Sequence, residues 1–275
     1  MTNRHAFTAL LVAGTSIALL AGCTAGGAPQ TPTHTPTTPP FGATALVAPE
    51  KQYVIATVGD SHAVRFAQGM KEVAGDQYRI VSSAYGGCGI LREAQYKLTS
   101  GGFTNASDAT RACDDWDDKW RTLVAQSKPD AVLLTSSYWD VNAKRFDGES
   151  TFATISDPKV RTRYKAALRE GIDILSAGGA RVYLDNSLPY IGNDLPSAEA
   201  MSATVTEAYE EAKAAGKNVG LLDLRGQLCD GTSCPRVIDG IAVMDETAHP
   251  AGESLDRQSR WILNTISSDL AATQQ

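Results

Sequence analysis

The chain of 275 residues has no basic stripe and no internal repeat, and it contains few histidines and cysteines. Its 31 acidic side chains outnumber 25 basic ones, and this acidic balance argues against nucleic acid as a partner and against a polybasic contact with a membrane. The uncharged stretch from Ala6 to Gly22 is too short and too rich in alanine and glycine to make a good membrane span.

The five cysteines include no Cys-x-x-Cys pair, which makes a zinc site a weak interpretation. If Cys23 carries a lipid, four cysteines remain, and in an exported protein an even set indicates two disulfides. Three pairings can be drawn, and proximity along the chain favours Cys88–Cys113 and Cys229–Cys234. We expect neither a metal nor another cofactor.

The amino-terminal segment is typical of an export signal. Arg4 precedes the uncharged stretch, which closes with Leu20-Ala21-Gly22-Cys23. This ending resembles the bacterial lipobox, in which cleavage leaves the cysteine as a lipid-modified first residue. The alternative is an ordinary secretory signal with an incidental cysteine. We expect a signal peptide over residues 1–22 and a mature chain held by lipid on Cys23 at the extracytoplasmic face of the bacterial cytoplasmic membrane.

A threonine- and proline-rich tract from Thr31 to Pro40 follows the signal. It is too poor in large apolar residues to fold, and its prolines keep it extended. The composition therefore predicts a flexible linker over residues 23–48 and a folded domain over residues 49–271, which is long enough for one well-buried core.

Strand and helix patterns alternate within this domain. The predicted strands are Tyr53–Val58, Tyr78–Ser82, Asp130–Ser136, Arg181–Asn186 and Asn218–Leu224, and the predicted helices are His62–Val73, Lys159–Ser176, Ala198–Ala215 and Ser254–Ala271. Short apolar strands separated by helices favour an α/β fold, a three-layer α/β/α sandwich around a mostly parallel sheet. In such folds functional residues gather at the carboxyl ends of the strands.

The tetrapeptide Gly59-Asp60-Ser61-His62 lies at one of those ends, between the first predicted strand and the first predicted helix. The strand holds the backbone rigid, and the glycine lets the chain turn tightly. The helix amino terminus offers N–H groups to developing negative charge. Ser61 is therefore a candidate nucleophile, and it needs a base nearby.

Two of the four histidines lie in the signal and the linker, which leaves His62 and His249 as candidate bases. His62 is adjacent to Ser61, and neighbouring residues at a helix start point in different directions. His249 lies in a polar loop shortly after Asp245 and Glu246, acids that can hold its imidazole in the required tautomer. A capping loop with a solvated histidine is the alternative.

These motifs carry a family resemblance. Gly-Asp-Ser near the start and an acid-x-x-His arrangement near the end resemble the SGNH (GDSL-type) hydrolase superfamily. A Gly-Cys after the second strand, a second cysteine followed by tryptophan and a late cysteine pair resemble more closely the SGNH domain that is fused to acyltransferase-3 membrane proteins. The resemblance extends from Tyr53 to Leu270 and implies the SGNH (flavodoxin-like) fold.

By position, the resemblance implies that Ser61 is the nucleophile and His249 the general base. The acid that orients His249 is Glu246 by strict three-residue spacing, whereas the superfamily's preference for aspartate favours Asp245. The oxyanion hole is expected to use the backbone N–H groups of Ser61 and Gly87.

One block of the superfamily is missing from the chain. Where relatives have Gly-x-Asn-Asp, with an asparagine that donates to the oxyanion, this chain reads Thr-Ser-Ser-Tyr-Trp-Asp-Val-Asn from Thr135 to Asn142. One donor is therefore unassigned, and Ser137 and Asn142 are the candidates to replace it. The loss of one such donor costs on the order of 3 kcal/mol of barrier.

Three further residues are candidates for the pocket. Asp60 is expected to fix the turn through a buried hydrogen bond. His62 is expected to cap or line the pocket. Trp139 belongs to the altered third block.

The sequence thus predicts a lipid-anchored serine esterase or O-acyltransferase that acts on acyl esters, above all acetyl esters, of cell-envelope glycans. Its expected partners are an acylated polysaccharide or peptidoglycan-type substrate and a membrane acyltransferase. The alternative is a catalytically weak SGNH-like module that binds glycans or assists an envelope acylation system.

Overall fold

The computed structural model describes residues 45–97, 103–104, 113–187, 195–229 and 234–273. The strands are β1 Tyr53–Gly59, β2 Tyr78–Ala84, β3 Ala94–Lys97, β4 Phe103–Thr104, β5 Ala131–Thr135, β6 Ala143–Phe146, β7 Arg181–Asp185, β8 Val219–Leu222, β9 Val237–Ile238 and β10 Ile241–Ala242. The helices are α1 Ser61–Ala74, α2 Trp116–Ser127, α3 Ser137–Asp140, α4 Pro158–Ser176, α5 Leu195–Ala214, α6 Leu224–Leu228 and α7 Gly252–Thr273. A 3-10 turn covers Gly75–Gln77.

Five parallel strands form the central sheet in the order β2-β1-β5-β7-β8. All five predicted strands belong to it, and their ends differ from the prediction by two residues at most. The chain leaves β1 toward β2 and later adds β5 on the other side of β1. The strand order therefore reverses at β1, and the carboxyl edge beside such a reversal is where open α/β sheets place their sites.

Helices cover both faces of this sheet, as the sequence predicts. On one face Ile55 packs with buried side chains of α1 and α7, among them Phe66 and Ile262. On the other face Val58 packs in a cluster with α2, α4 and α5, which includes Trp120. Burial of each large apolar side chain contributes roughly 1.5–3 kcal/mol. The predicted three-layer α/β/α class is confirmed.

The four predicted helices are present as α1, α4, α5 and α7. Helix α2 is an addition to the prediction, and so are two small antiparallel sheets, β4-β3-β6 and β10-β9. Strands this short carry too few residues to show an alternating pattern.

Both predicted disulfides are present, Cys88–Cys113 and Cys229–Cys234. The first joins the loop after β2 to the segment before α2 and closes a loop of 25 residues, and the second closes a loop of 5. Loop-closure entropy gives about 3.5 kcal/mol for the first bond and about 2 kcal/mol for the second.

The predicted signal peptide, Cys23 and nearly all of the predicted linker lie outside the described residues. Among the helices that the structure describes, none combines the length and the apolar character needed to cross a bilayer.

Candidate active site

The turn after β1 can be made only by glycine at its first position. Gly59 has φ 120°, and a Cβ there would lie 1.7 Å from the carbonyl oxygen of Thr135 on the neighbouring β5. The next residue, Asp60, donates its backbone N–H to that same carbonyl at 2.8 Å. Close pairing of β1 with β5 therefore requires a residue without a side chain, and it delivers Ser61 to the carboxyl edge of the sheet as the first residue of α1.

Asp60 fixes this turn from inside the protein. Its carboxylate is fully buried and accepts the backbone N–H of His62 at 2.9 Å and that of Trp139 at 3.2 Å. The first bond caps α1, and the second ties the turn to α3. Burial raises the pKa of Asp60 to about 7, although both N–H donors act to lower it. These are the buried hydrogen bonds expected of Asp60 at this turn.

Ser61 and His249 meet at this edge, although 188 residues separate them in the chain. The Oγ of Ser61 lies 2.7 Å from Nε2 of His249. The pKa of His249 is lowered, first by burial and then by the charge of Arg65, whereas the Asp245 charge and the Thr247 backbone carbonyl act to raise it. The imidazole is therefore neutral at pH 7 and can accept a proton from the hydroxyl.

The other ring nitrogen of His249 faces Thr247. Nδ1 lies 3.0 Å from the Thr247 hydroxyl, which in turn donates to Oδ1 of Asp245 at 2.6 Å. The same carboxylate oxygen accepts the backbone N–H groups of Thr247 and His249, at 2.8 and 3.1 Å. These hydrogen bonds lower the pKa of Asp245, and the Thr247 hydroxyl is the largest cause.

Of the two acids considered in the sequence, Asp245 belongs to this network. Glu246 is exposed, and within the described residues its carboxylate takes part in no hydrogen bond or ion pair. The backbone explains the difference, because a tight turn with bonds from Ala248 N to Asp245 O and from Asp245 N to His249 O brings the earlier acid back over the histidine.

His62 packs against the loop that carries His249 and bonds to its backbone. Its ring is buried, stacks on Tyr138 with centroids 4.6 Å apart, and lies 5.1 Å from the ring of His249. Nε2 lies 2.9 Å from the carbonyl oxygen of Ala248 and must carry the proton, because a carbonyl only accepts. Ala248 has φ 60°, a strained conformation for a residue with a side chain. Burial lowers the pKa of His62 to about 4, so it stays a neutral donor.

The loop after β2 passes beside the nucleophile. A Cβ on Gly86 would lie 3.8 Å from Cβ of Ser61, and one on Gly87 would lie 4.0 Å from the ring of Trp139. The loop is anchored where the N–H of Tyr85 bonds the carbonyl of Gly59 at 2.9 Å. The expected oxyanion donors therefore lie on neighbouring backbone, and the use of the Gly87 N–H remains a prediction.

The two candidates for the missing oxyanion donor lie at the start of α3 and just after its end. Asn142 is buried, and its amide donates to the carbonyl of Trp139 at 3.1 Å, which closes α3. Ser137 begins α3, but its side chain is outside the described residues. Within the described residues the buried Nε1 of Trp139 has no hydrogen-bond partner.

Asp140 is a supporting residue that sequence reasoning missed. It is buried and accepts the N–H of Ile90 at 2.8 Å and the hydroxyl of Tyr96 at 2.9 Å. The buried Lys144 donates to its backbone carbonyl, and burial lowers the pKa of that lysine to about 8. These bonds hold the segment after the glycine loop against α3. In the sequence Asp140 is only a charged residue next to Trp139, and its charge does not predict that it is buried.

The assembled groups are those of nucleophilic ester chemistry: a serine hydroxyl, a neutral imidazole bonded to it, and backbone N–H groups at a helix start. In the part of the chain that the structure describes, no group of three or more His, Cys, Asp or Glu side chains is placed to hold a metal ion.

Comparisons with known proteins identify the family of this chain. The family model described as "SGNH domain (fused to AT3 domains)" matches residues 29–250. A GDSL-like lipase from Bacteroides thetaiotaomicron is 12% identical, with a TM-score of 0.50 over 79% of this chain and 89% of its own. A carbohydrate esterase of family 3 from Talaromyces cellulolyticus is 11% identical, with a TM-score of 0.46 over 80% of this chain and 99% of its own. A search of curated proteins gives no match.

At 12% identity the lipase shows a shared fold alone. The family model spans most of the chain, and its range includes both Ser61 and His249. The chain therefore belongs to the SGNH domain family, the one described as fused to AT3 domains.

Proposed function

We propose that the protein is an extracytoplasmic serine ester hydrolase, or an O-acyltransferase, that acts on acyl esters of cell-envelope glycans. The observation that carries the proposal is the 2.7 Å hydrogen bond from Ser61 to His249 at the carboxyl edge of β1. The fold and the family are those of SGNH hydrolases, which are consistent with acyl ester hydrolysis.

In this mechanism His249 Nε2 takes the Ser61 proton while Oγ attacks the ester carbonyl. Backbone N–H groups of Ser61 and Gly87 stabilise the oxyanion. The imidazolium then gives its proton to the leaving sugar hydroxyl, and an acyl-enzyme remains. Water or a second sugar hydroxyl, deprotonated by His249, attacks that acyl group and releases Ser61. The choice between water and sugar decides between hydrolysis and transfer.

The space beside the site supports a short acyl group. A small recess of about 20 Å³ borders Gly59 and is lined by apolar and aromatic groups, including Trp116 and the Cys88–Cys113 disulfide. That volume suits a group about the size of one water molecule, so it admits a methyl group and not a long chain. Ser61 and His249 do not line this recess, so its support for acetyl esters rests on its size and on its place at Gly59, two residues before the nucleophile.

A second, open depression of about 350 Å³ supports a glycan. Its lining combines hydroxyl and amide groups of Ser82, Thr122 and Gln126 with the ring of Tyr85, which is 46% exposed. The ammonium of Lys119 lies over the Tyr85 ring, 4.6 Å from its centroid. The support for a glycan therefore comes chiefly from the hydroxyl and amide groups of the lining, which can bond sugar hydroxyls. Tyr85 lies beside the glycine loop, so a bound glycan would be close to Ser61.

The proposed location is supported by the sequence and by the disulfides. Residues 1–22 are proposed as a signal peptide, Cys23 as the lipidated residue and residues 23–48 as a linker to the domain over 49–271. Two disulfides among the described cysteines support an oxidising compartment. The AT3 association of the family supports a membrane acyltransferase as a partner that supplies acyl groups.

The test is ester hydrolysis by the purified mature protein. We expect turnover of an aryl acetate, a lower rate with aryl esters of longer acids, and loss of activity in Ser61→Ala. Acetylated envelope polysaccharides then identify the natural ester through released acetate. Equal rates for wild type and Ser61→Ala would contradict the proposal.

A glycan-binding accessory module is the second candidate. It is favoured by the altered third block, in which Asn142 uses one of its two amide N–H groups to bond the Trp139 carbonyl. Binding of acetylated polysaccharide by a protein that does not react at Ser61 would support this candidate.

A further inference from the structure

The hydroxyl of Thr247 stands between the acid and the base. We propose that Thr247 is a positioning residue that connects Asp245 to His249 and holds the imidazole in the tautomer that serves Ser61. The inference deepens the proposed function and rests on it. The chain of contacts runs from Asp245 Oδ1 to Thr247 Oγ1 at 2.6 Å, to His249 Nδ1 at 3.0 Å, and from His249 Nε2 to Ser61 Oγ at 2.7 Å.

The protons available on these groups fix which atom donates in each hydrogen bond between Asp245, Thr247 and His249. A hydroxyl has a single proton, and Thr247 donates it to the carboxylate of Asp245, which can only accept. Thr247 Oγ1 must therefore accept from His249, which places the ring proton on Nδ1. Nε2 is then left with a lone pair toward the Ser61 hydroxyl, and this is the protonation state that a general base needs.

The negative charge of Asp245 acts on His249 directly, and it also acts through this hydroxyl. When His249 becomes an imidazolium, its Nδ1–H bond to Thr247 strengthens, because the hydroxyl is already polarised by the carboxylate. Other groups that face the ring act differently. Arg65 disfavours the imidazolium, the neutral His62 packs beside it, and the Thr247 backbone carbonyl favours it without any link to Asp245.

Three variants separate these contributions. Thr247→Val keeps the shape and the backbone carbonyl but removes the hydroxyl, and we expect kcat to fall about 10- to 100-fold with little change in KM. Thr247→Ser keeps the hydroxyl and should stay within about threefold of wild type. Thr162→Val is the matched control, because Thr162 is an exposed threonine whose hydroxyl bonds only its own helix at Pro158.

The dependence on Asp245 is tested by a double-mutant cycle. If the hydroxyl carries the effect of the Asp245 carboxylate to His249, Thr247→Val should lower kcat much less in an Asp245→Asn background than in wild type. Removal of either group also removes support for the imidazolium, so the acidic limb of kcat/KM should move to lower pH in both variants. A purely structural role for Thr247 would change the plateau but leave this limb in place.

A measurement without turnover keeps the two proposals separate. Histidine ¹⁵N shifts at pH 8 should show His249 with its proton on Nδ1 in wild type and Thr247→Ser, and a mixture of tautomers in Thr247→Val. If wild type neither hydrolyses esters nor reacts at Ser61, the proposed function fails while these shifts still decide the tautomer. The relay is overturned if Thr247→Val matches wild type in tautomer and rate, or if Glu246→Gln loses more activity than Thr247→Val.

Discussion

A pair of substitutions at His62 separates its hydrogen bond from its titration. His62→Phe keeps an aromatic ring to stack on Tyr138 but removes the N–H that bonds the Ala248 carbonyl at 2.9 Å. His62→Gln removes the ionisable ring, but its amide nitrogen can reach about the position of Nε2 and donate to the same carbonyl. The two variants therefore differ chiefly in whether Ala248 is held.

The hydrogen bond should matter because it holds a strained residue next to the base. The Ala248 carbonyl is half-buried, and loss of its hydrogen-bond partner costs up to about 1–3 kcal/mol. Ala248 at φ 60° also gains by relaxing once it is released. If His249 moves away from Ser61 and the same free energy is added to the activation barrier, kcat falls by about 5- to 150-fold. We expect this loss in His62→Phe and a much smaller one in His62→Gln at pH 7.5.

The pKa of His62 should make the free energy of unfolding depend on pH below 6.5. In the unfolded chain the imidazole takes a proton near its ordinary pKa of 6.5, whereas burial keeps it neutral in the folded protein down to about 4. The unfolded state therefore binds more protons between these values, and the free energy of unfolding falls as the pH falls through this window. The difference between the pKa values of His62 in the unfolded and the folded state corresponds to about 3 kcal/mol in the free energy of unfolding.

The assay is urea unfolding of wild type and His62→Gln at several pH values from 7.5 to 4. Asp60 and Asp185 have raised pKa values and act in the opposite direction, but both proteins contain them and their effect cancels in the difference. We expect wild type to lose about 3 kcal/mol relative to the variant as the pH falls from 7 to 4. A difference that stays constant with pH, together with full activity in His62→Phe, would refute the reasoning.

Three further substitutions test the frame around the site. Gly59→Ala should cost more than about 4 kcal/mol or abolish folding, because its Cβ would meet the Thr135 carbonyl at 1.7 Å; urea unfolding and soluble yield measure this. Asp60→Asn should gain stability relative to wild type as the pH rises from 5 to 8, because folded wild type holds a proton on Asp60 up to about pH 7 and the unfolded chain releases it near 3.8; a pH-independent difference would contradict this. Replacement of both Cys88 and Cys113 by serine should lower the free energy of unfolding by about 3.5 kcal/mol, and reductant should then have less effect on the variant than on wild type.

The sequence predicts the sheet because its strands are short apolar runs between well-marked helices. The same logic finds Ser61, since a glycine turn between a strand and a helix is a common way to expose a serine at the carboxyl edge of a sheet. His249 follows from elimination, because the domain offers only one other histidine. Their predicted contact is present in the structure at 2.7 Å.

The spacing of residues in the sequence could not show which acid contacts His249, or through which group. A three-residue interval favours Glu246, yet the turn from Asp245 to His249 places Thr247 between the acid and Nδ1. A hydroxyl of this kind looks in the sequence like any loop threonine. The burial of His62 was equally hidden, because adjacency to Ser61 says where its backbone lies and not what covers its ring.

The central claim is that Ser61 is a nucleophile activated by His249, and reaction with a fluorophosphonate probe tests it most directly. The account predicts one adduct per wild-type chain, located by peptide mass at Ser61. It also predicts that His249→Ala labels far more slowly and that Ser61→Ala does not label. Absence of labelling in wild type, or labelling of Ser61→Ala at the wild-type rate, would contradict it.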